Sequence, residues 1–164
     1  MHLTGEQFIA APPQRVWEAL IDPGLLAPLI PGCRSMSGNP ASGYDIVAER
    51  SVAGVEVSMT GRIDLSDIRP GEGVRLHASG EAGRFGAARG TARIVLMPEK
   101  EGEREGTRLG WDLEAQTEGL LATFPRLVVE SVARRVAHGF VERFAAAIEG
   151  REARRGWLSR LKGR

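Results

Sequence analysis

The sequence predicts an α+β domain in which a curved antiparallel sheet of about seven strands wraps around one long C-terminal helix. Two short helices are expected after the first strand. Three features favour this class: two proline-started amphipathic segments near the N-terminus, a middle region of alternating residues, and a C-terminal apolar stripe at intervals of four. We assign residues 1–150 to this domain and residues 151–164 to a basic amphipathic tail.

The two short helices are each predicted to begin at a proline. Pro12 and Pro13 suit a first helical turn, where a missing N–H is not needed. Asp22 and Pro23 supply the N-cap and first residue of the second helix, which Pro31-Gly32 terminates. The apolar faces that follow these starts are Val16, Trp17 and Leu20, then Leu25, Leu26, Leu29 and Ile30.

Alternation of apolar and polar residues predicts half-exposed antiparallel strands in the middle of the chain. Residues 55–65, 74–80 and 109–116 follow this pattern, and the segments 70–73 and 100–106 supply turns between strands. The predicted inner face carries many undersized residues. They are Gly61, Ala78, Gly80, Ala82, Gly90, Ala92 and Ala115. Such a face beneath a helix favours a cavity or a close helix approach, although strand glycines also mark bends and bulges.

The long C-terminal helix is predicted from one apolar stripe. Its members are Leu120, Phe124, Val128, Val132, Val136, Phe140, Phe144 and Ile148. Pro125 removes one intrahelical hydrogen bond, so we expect a kink there or a true helix start beside it. Gly150 is the expected C-cap. A helix of this length reaches about 40 Å and could cross the whole sheet.

Three segments resemble one protein family. They are VWEALIDPGLLAPLIPGC ending at Cys33, EAGRFGAARGTARI at residues 81–94, and WDLEAQ beginning at Trp111, and they resemble the carbon monoxide dehydrogenase subunit CoxG. The order of elements resembles the START-like (SRPBCC) helix-grip fold. This resemblance implies a non-catalytic accessory protein of molybdenum hydroxylases, which attaches the enzyme to the cytoplasmic membrane and binds a quinone in its cavity.

A quinone such as menaquinone is therefore the expected ligand, held without any covalent cofactor between sheet and helix. The expected lining is Met59, Leu76, Ala78, Phe85, Trp111, Leu113, Phe124, Val128 and Val132. Phe85 is expected at the cavity mouth with Leu26, Leu29 and Ile30, although ordinary core packing explains these four residues equally well.

The tail is the one strongly basic part of the chain. Residues 151–164 carry six basic residues against Glu152, a net charge of +5, whereas the rest of the chain carries −4. The acidic body argues against nucleic-acid binding. Trp157, Leu158 and Leu161 form an apolar turn among the charges, which is typical of an interfacial membrane anchor. The expected contacts are Arg154, Arg155, Trp157, Leu158, Arg160, Leu161 and Lys162. A solvated terminus and an acidic protein partner are the alternatives.

Few residues suggest catalysis or a metal. The single cysteine, Cys33, excludes an internal disulfide and is expected to be a buried structural thiol. His2, His77 and His138 have no metal-binding spacing, and His77 and His138 are expected at the surface. No segment has the roughly 18 apolar residues of a spanning helix, so we expect a cytoplasmic protein, peripheral on the inner face of the membrane. The alternative function is a START-like enzyme, of aromatase/cyclase or hydrolase type, with a small hydrophobic substrate.

Overall fold

The computed structural model describes residues 1–52 and 54–162. Seven antiparallel strands form one sheet in the order β1-β7-β6-β5-β4-β3-β2. The strands are β1 His2–Ile9, β2 Cys33–Asn39, β3 Gly43–Val52, β4 Val55–Arg69, β5 Gly73–Glu81, β6 Ala87–Glu101 and β7 Arg104–Glu118. The helices are α1 Pro13–Leu20, α2 Pro23–Leu26 and α3 Arg126–Lys162, and three 3₁₀ turns are η1 Ala27–Leu29, η2 Gly83–Phe85 and η3 Gly119–Thr123. The predicted fold class and element order are confirmed.

The two short helices begin where the prolines predict. Pro13 is the first residue of α1, and Asp22 caps α2 by accepting a 2.9 Å hydrogen bond from the amide of Gly24 through its Oδ1. The segment before α1 is fixed to the sheet by Thr107, whose buried hydroxyl donates to the carbonyl of Ala11 at 2.7 Å. Both helices therefore lie at a defined position over the inner face.

The hydrophobic core occupies only one end of the inner face. Buried side chains there come from α1, α2, the second half of α3 and several strands. Representative core residues are Val16, Leu25, Val74, Ile94, Leu109, Phe144 and Ile148. The sheet register places Val74 opposite Ile94, so this part of β5 and β6 is covered by helices. The other end of the same strands has a different environment.

Helix α3 starts directly after Pro125, which confirms the alternative of a helix start over a kink. The expected end at Gly150 is wrong, because α3 continues without interruption to Lys162. Two ion pairs hold this extension against the short helices. Arg15 lies 3.5 Å from Glu152, and Arg151 lies 3.4 Å from Asp22. The tail is consequently a direct continuation of the helix that packs on the core.

The apolar stripe of α3 does not form one buried face. Four residues advance an α-helix by about 400°, so each step of four turns the stripe about 40° further around the helix axis. Phe144 and Ile148 face the core and are buried, but Val128, Val132 and Val136 are 52, 53 and 53% exposed. The positions that pack toward the sheet in the first half are instead the small residues Ala133 and Ala137.

Candidate functional site

An open groove occupies the inner face beyond the core. Ala78 lies in the middle of that face, opposite Ile63 on one side and Gly90 on the other, yet it is exposed. No element of the described chain covers it. Val74, four residues earlier on the same strand and face, is buried. We call this uncovered area around Ala78, Gly90 and Met59 the open groove.

Small residues make the floor of the open groove low. One cross-strand row is Ala78, Gly90 and Ala115, and the next contains Gly61 and Gly80. A Cβ atom built on Gly61 or Gly80 would meet neighbours only at ordinary contact distances of 3.5 and 3.7 Å. Neither glycine has a positive φ. Backbone conformation therefore does not require glycine at these two positions, and its consequence is free space.

The first half of α3 forms one wall of the open groove. Val132 and Val136 lie within about 20° of Arg143 around the helix axis. Arg143 donates a 3.1 Å hydrogen bond from Nη2 to the carbonyl of Leu29 in η1. The valines therefore face the side of α3 on which η1 lies, across the uncovered sheet. The Arg143–Leu29 contact joins the two walls at the core end.

A smaller pocket of about 210 Å³ lies where α3 begins. Phe124 and Val129 line it from the helix side, and Met1 and Ala115 line it from the sheet. Ala115 belongs to the same cross-strand row as Ala78. The pocket is thus continuous with the floor of the open groove at its β7 side.

The tail is exposed on α3 beyond the domain. Trp157 is 57% exposed, and Leu158 and Leu161 are about half exposed. The basic side chains around them are also exposed: Arg154, Arg155, Arg160 and Lys162. Of the helices in residues 1–52 and 54–162, none combines the length and the apolar character needed to cross a bilayer.

The family of the carbon monoxide dehydrogenase subunit CoxG matches residues 5–149, which include the whole sheet and the groove. The chain belongs to the CoxG family. A comparison with curated proteins gives no match. The resemblance seen in the three sequence segments is confirmed.

Solved structures confirm the helix-grip fold of this CoxG chain. A conserved protein from Geobacillus kaustophilus is similar with a TM-score of 0.79 and 24% identity, over 90% of this chain and 95% of that chain. Protein CV1439 from Chromobacterium violaceum has a TM-score of 0.64 and 20% identity, over 90% and 97% of the two chains. TTHA0849 from Thermus thermophilus has a TM-score of 0.64 and 18% identity, with the same coverage.

The residues expected to line the ligand site fall into three environments. Ala78, Phe124, Val128 and Val132 are exposed around the open groove or its adjoining pocket. Met59, Leu76 and Leu113 are half-buried on the inner face, and the two leucines pack against the core. Trp111 and Phe85 lie elsewhere.

Trp111 is a core residue, contrary to the expected lining role. Its side chain is 9% exposed and lies flat over Gly5, where an added Cβ atom would come within 2.5 Å of the indole ring. The ring of His138 contacts it edge-on, with centroids 5.2 Å apart. A ligand in the open groove would find little of the indole surface accessible.

Phe85 does not share a cavity mouth with the second short helix. It is half-buried in η2, with the guanidinium of Arg84 at 5.3 Å from its ring centroid. Turn η2 lies beside η3, since a Cβ atom on Gly119 would come 3.0 Å from Cα of Gly86. Leu26, its expected neighbour, is buried in the core. Both corrections arise because alternation predicts the face of a strand residue but not which element covers it.

Arg50 is a groove residue that sequence reasoning missed. It pairs with Val57 across β3 and β4, so it shares the inner face with that valine. Glu49, the next residue, points outward and pairs with Arg34 at 3.4 Å. Within residues 1–52 and 54–162, Arg50 has no ion-pair partner. The alternation through Tyr44, Ile46 and Ala48 would have placed it inward.

The remaining polar groups occupy the surface or the rim. His77 is exposed on the outer face, as predicted, with its Nε2 2.8 Å from the hydroxyl of Ser66. Cys33 is half-buried rather than buried, and its thiol donates to the carbonyl of Ser35 at 3.4 Å. Burial and the nearby Asp22 raise the pKa of Tyr44, whose hydroxyl donates to the carbonyl of Ile21 at 2.8 Å. Among the described residues, no group of three or more His, Cys, Asp or Glu could hold a metal ion.

Proposed function

We propose that this CoxG-family chain is a non-catalytic accessory protein that binds a hydrophobic ligand, a quinone, in the open groove. It links a molybdenum hydroxylase of the carbon monoxide dehydrogenase type to the cytoplasmic membrane. The family match supports the association with that enzyme. The exposed, undersized floor around Ala78 beneath the valine wall of α3 is the observation that carries ligand binding.

The chemistry of the open groove suits an apolar tail with a polar head. Its floor and α3 wall expose valine, alanine, methionine and glycine, whose burial by a ligand contributes about 25 cal/mol per Å². Arg50 adds one positive charge on the inner face of β3, and a guanidinium donates hydrogen bonds to carbonyl oxygens. A quinone with an isoprenoid tail combines these two features.

The tail supports attachment to an anionic membrane surface. Basic residues near an anionic leaflet contribute about 1 kcal/mol each, and exposed tryptophan and leucine add apolar contact. The described part of the tail carries five basic residues and one acidic residue. Such binding would be reversible and would weaken as salt rises, because exposed charges are screened.

Mass spectrometry tests the ligand. Organic extracts of protein purified from its native host should contain a quinone at a near-stoichiometric amount, and delipidated protein should bind the same quinone in calorimetric titration. Extracts without an isoprenoid lipid, together with no heat of binding for quinones, would overturn the proposed ligand. Turnover of a hydrophobic substrate by purified protein would instead favour the enzyme alternative.

Vesicle co-sedimentation tests the membrane contact. Deleting residues 151–164 would also remove the Arg151–Asp22 and Glu152–Arg15 ion pairs, so substitution is the cleaner perturbation. The triple variant Trp157→Ser, Leu158→Ser, Leu161→Ser should bind phosphatidylglycerol-containing vesicles much less than the unmodified protein. Equal binding by both proteins would contradict the anchor.

A further inference from the structure

The start of α3 bears an exposed apolar cluster that the core does not use. Leu120, Phe124 and Leu127 are 47, 52 and 79% exposed, and Val128 adjoins them. We call these four residues the helix-entry patch. They lie within nine consecutive positions, whereas an ordinary surface exposes large apolar residues singly.

The charges of α3 are concentrated at its two ends. Residues 126–138 carry three arginines against Glu130, a net charge of +2. Residues 151–162 carry a net charge of +4, whereas residues 139–150 between them carry −1. The chain before α3 is acidic, with a net charge of −5. The helix-entry patch and the tail therefore share one chemistry, apolar side chains beside basic ones.

The two ends also share one side of the helix. Val128 and Trp157 are 29 residues apart, which places them within about 20° around the helix axis. Gly139, Ala146 and Gly150 lie between them within about 20° of Trp157, and the last two are exposed. One side of α3 is thus apolar at both ends and low in the middle over a length of about 55 Å.

We infer that α3 lies along the plane of an anionic membrane and contacts it at both ends, with the helix-entry patch as a second lipid contact. This inference rests on the proposed membrane attachment. The 210 Å³ pocket lined by Phe124 opens beside the patch. A ligand dissolved in the bilayer would then reach the open groove from the lipid without crossing water.

Vesicle binding by matched variants tests the second contact. Phe124→Ser with Leu127→Ser removes apolar groups of the helix-entry patch, and the tail triple variant removes those of the other end. Val95→Ser with Met97→Ser is the control, because these side chains are 39 and 52% exposed on the outer face of β6. We expect each α3 variant to lower the partition coefficient for phosphatidylglycerol-containing vesicles at least tenfold. The control should bind like the unmodified protein.

A label reports the orientation directly. In a Cys33→Ser background, a fluorophore on Leu127→Cys should be quenched by brominated lipids, and one on Met97→Cys should not. If the patch variant binds like the control and Leu127→Cys is not quenched while the tail variant loses binding, the second contact is refuted and single-end attachment stands. No binding by the unmodified protein refutes both proposals, as does recruitment that needs an acidic protein partner. Unchanged thermal melting confirms that the variants are folded.

Discussion

Filling the open groove should abolish ligand binding without unfolding the protein. Ala78 is exposed in the centre of the floor, so Ala78→Trp places an indole in the space above Gly90 and below the valine wall. An exposed site requires no repacking, and we expect the melting temperature to stay within a few degrees. Ser79→Trp is the matched control, because Ser79 is exposed on the outer face of the same strand.

The size of the effect follows from the area that the indole takes from the ligand. A tryptophan covers about 150–250 Å². Loss of about 150 Å² of ligand contact, at about 25 cal/mol per Å², costs about 4 kcal/mol, or close to a thousandfold in Kd. A flexible tail recovers part of this by shifting, so we expect at least a tenfold increase.

Isothermal titration of delipidated protein with a short-tailed quinone measures the change. Ala78→Trp should raise Kd at least tenfold, and Ser79→Trp should leave it unchanged. Equal affinities for Ala78→Trp and the unmodified protein would refute ligand binding in the open groove. Equal losses in both variants would mean that the ligand lies elsewhere and that the substitutions act on the sheet as a whole.

Three further substitutions test separate contacts. Gly5→Ala drives a methyl group into the ring of Trp111 and should lower the free energy of unfolding by about 1–3 kcal/mol in urea titration, whereas no change would mean that the indole has room to move. Arg50→Met should weaken binding of a quinone but not of a hydrocarbon with the same tail, and Arg34→Met, which lies outside the groove, should affect neither; equal loss for both ligands would contradict recognition of the head. Thr107→Val leaves a buried carbonyl without its donor and should cost about 1–3 kcal/mol in thermal melts, with Thr107→Ser as the control that keeps the hydroxyl.

The sequence predicts the local structure of this chain well because its signals are local. Proline positions and the Asp22 cap determine where α1, α2 and α3 begin, and alternation identifies the inner and outer residues of β4, β5 and β7. These signals depend on residues close together in the chain. The same reasoning places Arg50 on the inner face once the alternation is followed through β3.

Coverage of the sheet could not be predicted, because it depends on how far α3 lies from each strand. A stripe of period four appears in the sequence as one continuous face, yet it turns about 40° at every step. Phe144 is therefore buried while Val128, on the same stripe, is not. Trp111 shows the converse problem, since its burial depends on Gly5 of a strand more than a hundred residues away.

The composition of α3 opposes the fold that stability alone would favour. Ala133 and Ala137 occupy the positions that pack toward the sheet, while the larger Val132 and Val136 lie on the flank and stay half exposed. Exchanging these sizes would bury more apolar surface and would stabilise the isolated domain. It would also close the space above Ala78. The exposed valines thus have a use only if another apolar molecule covers them, and the low floor beneath them has the shape that such a molecule needs.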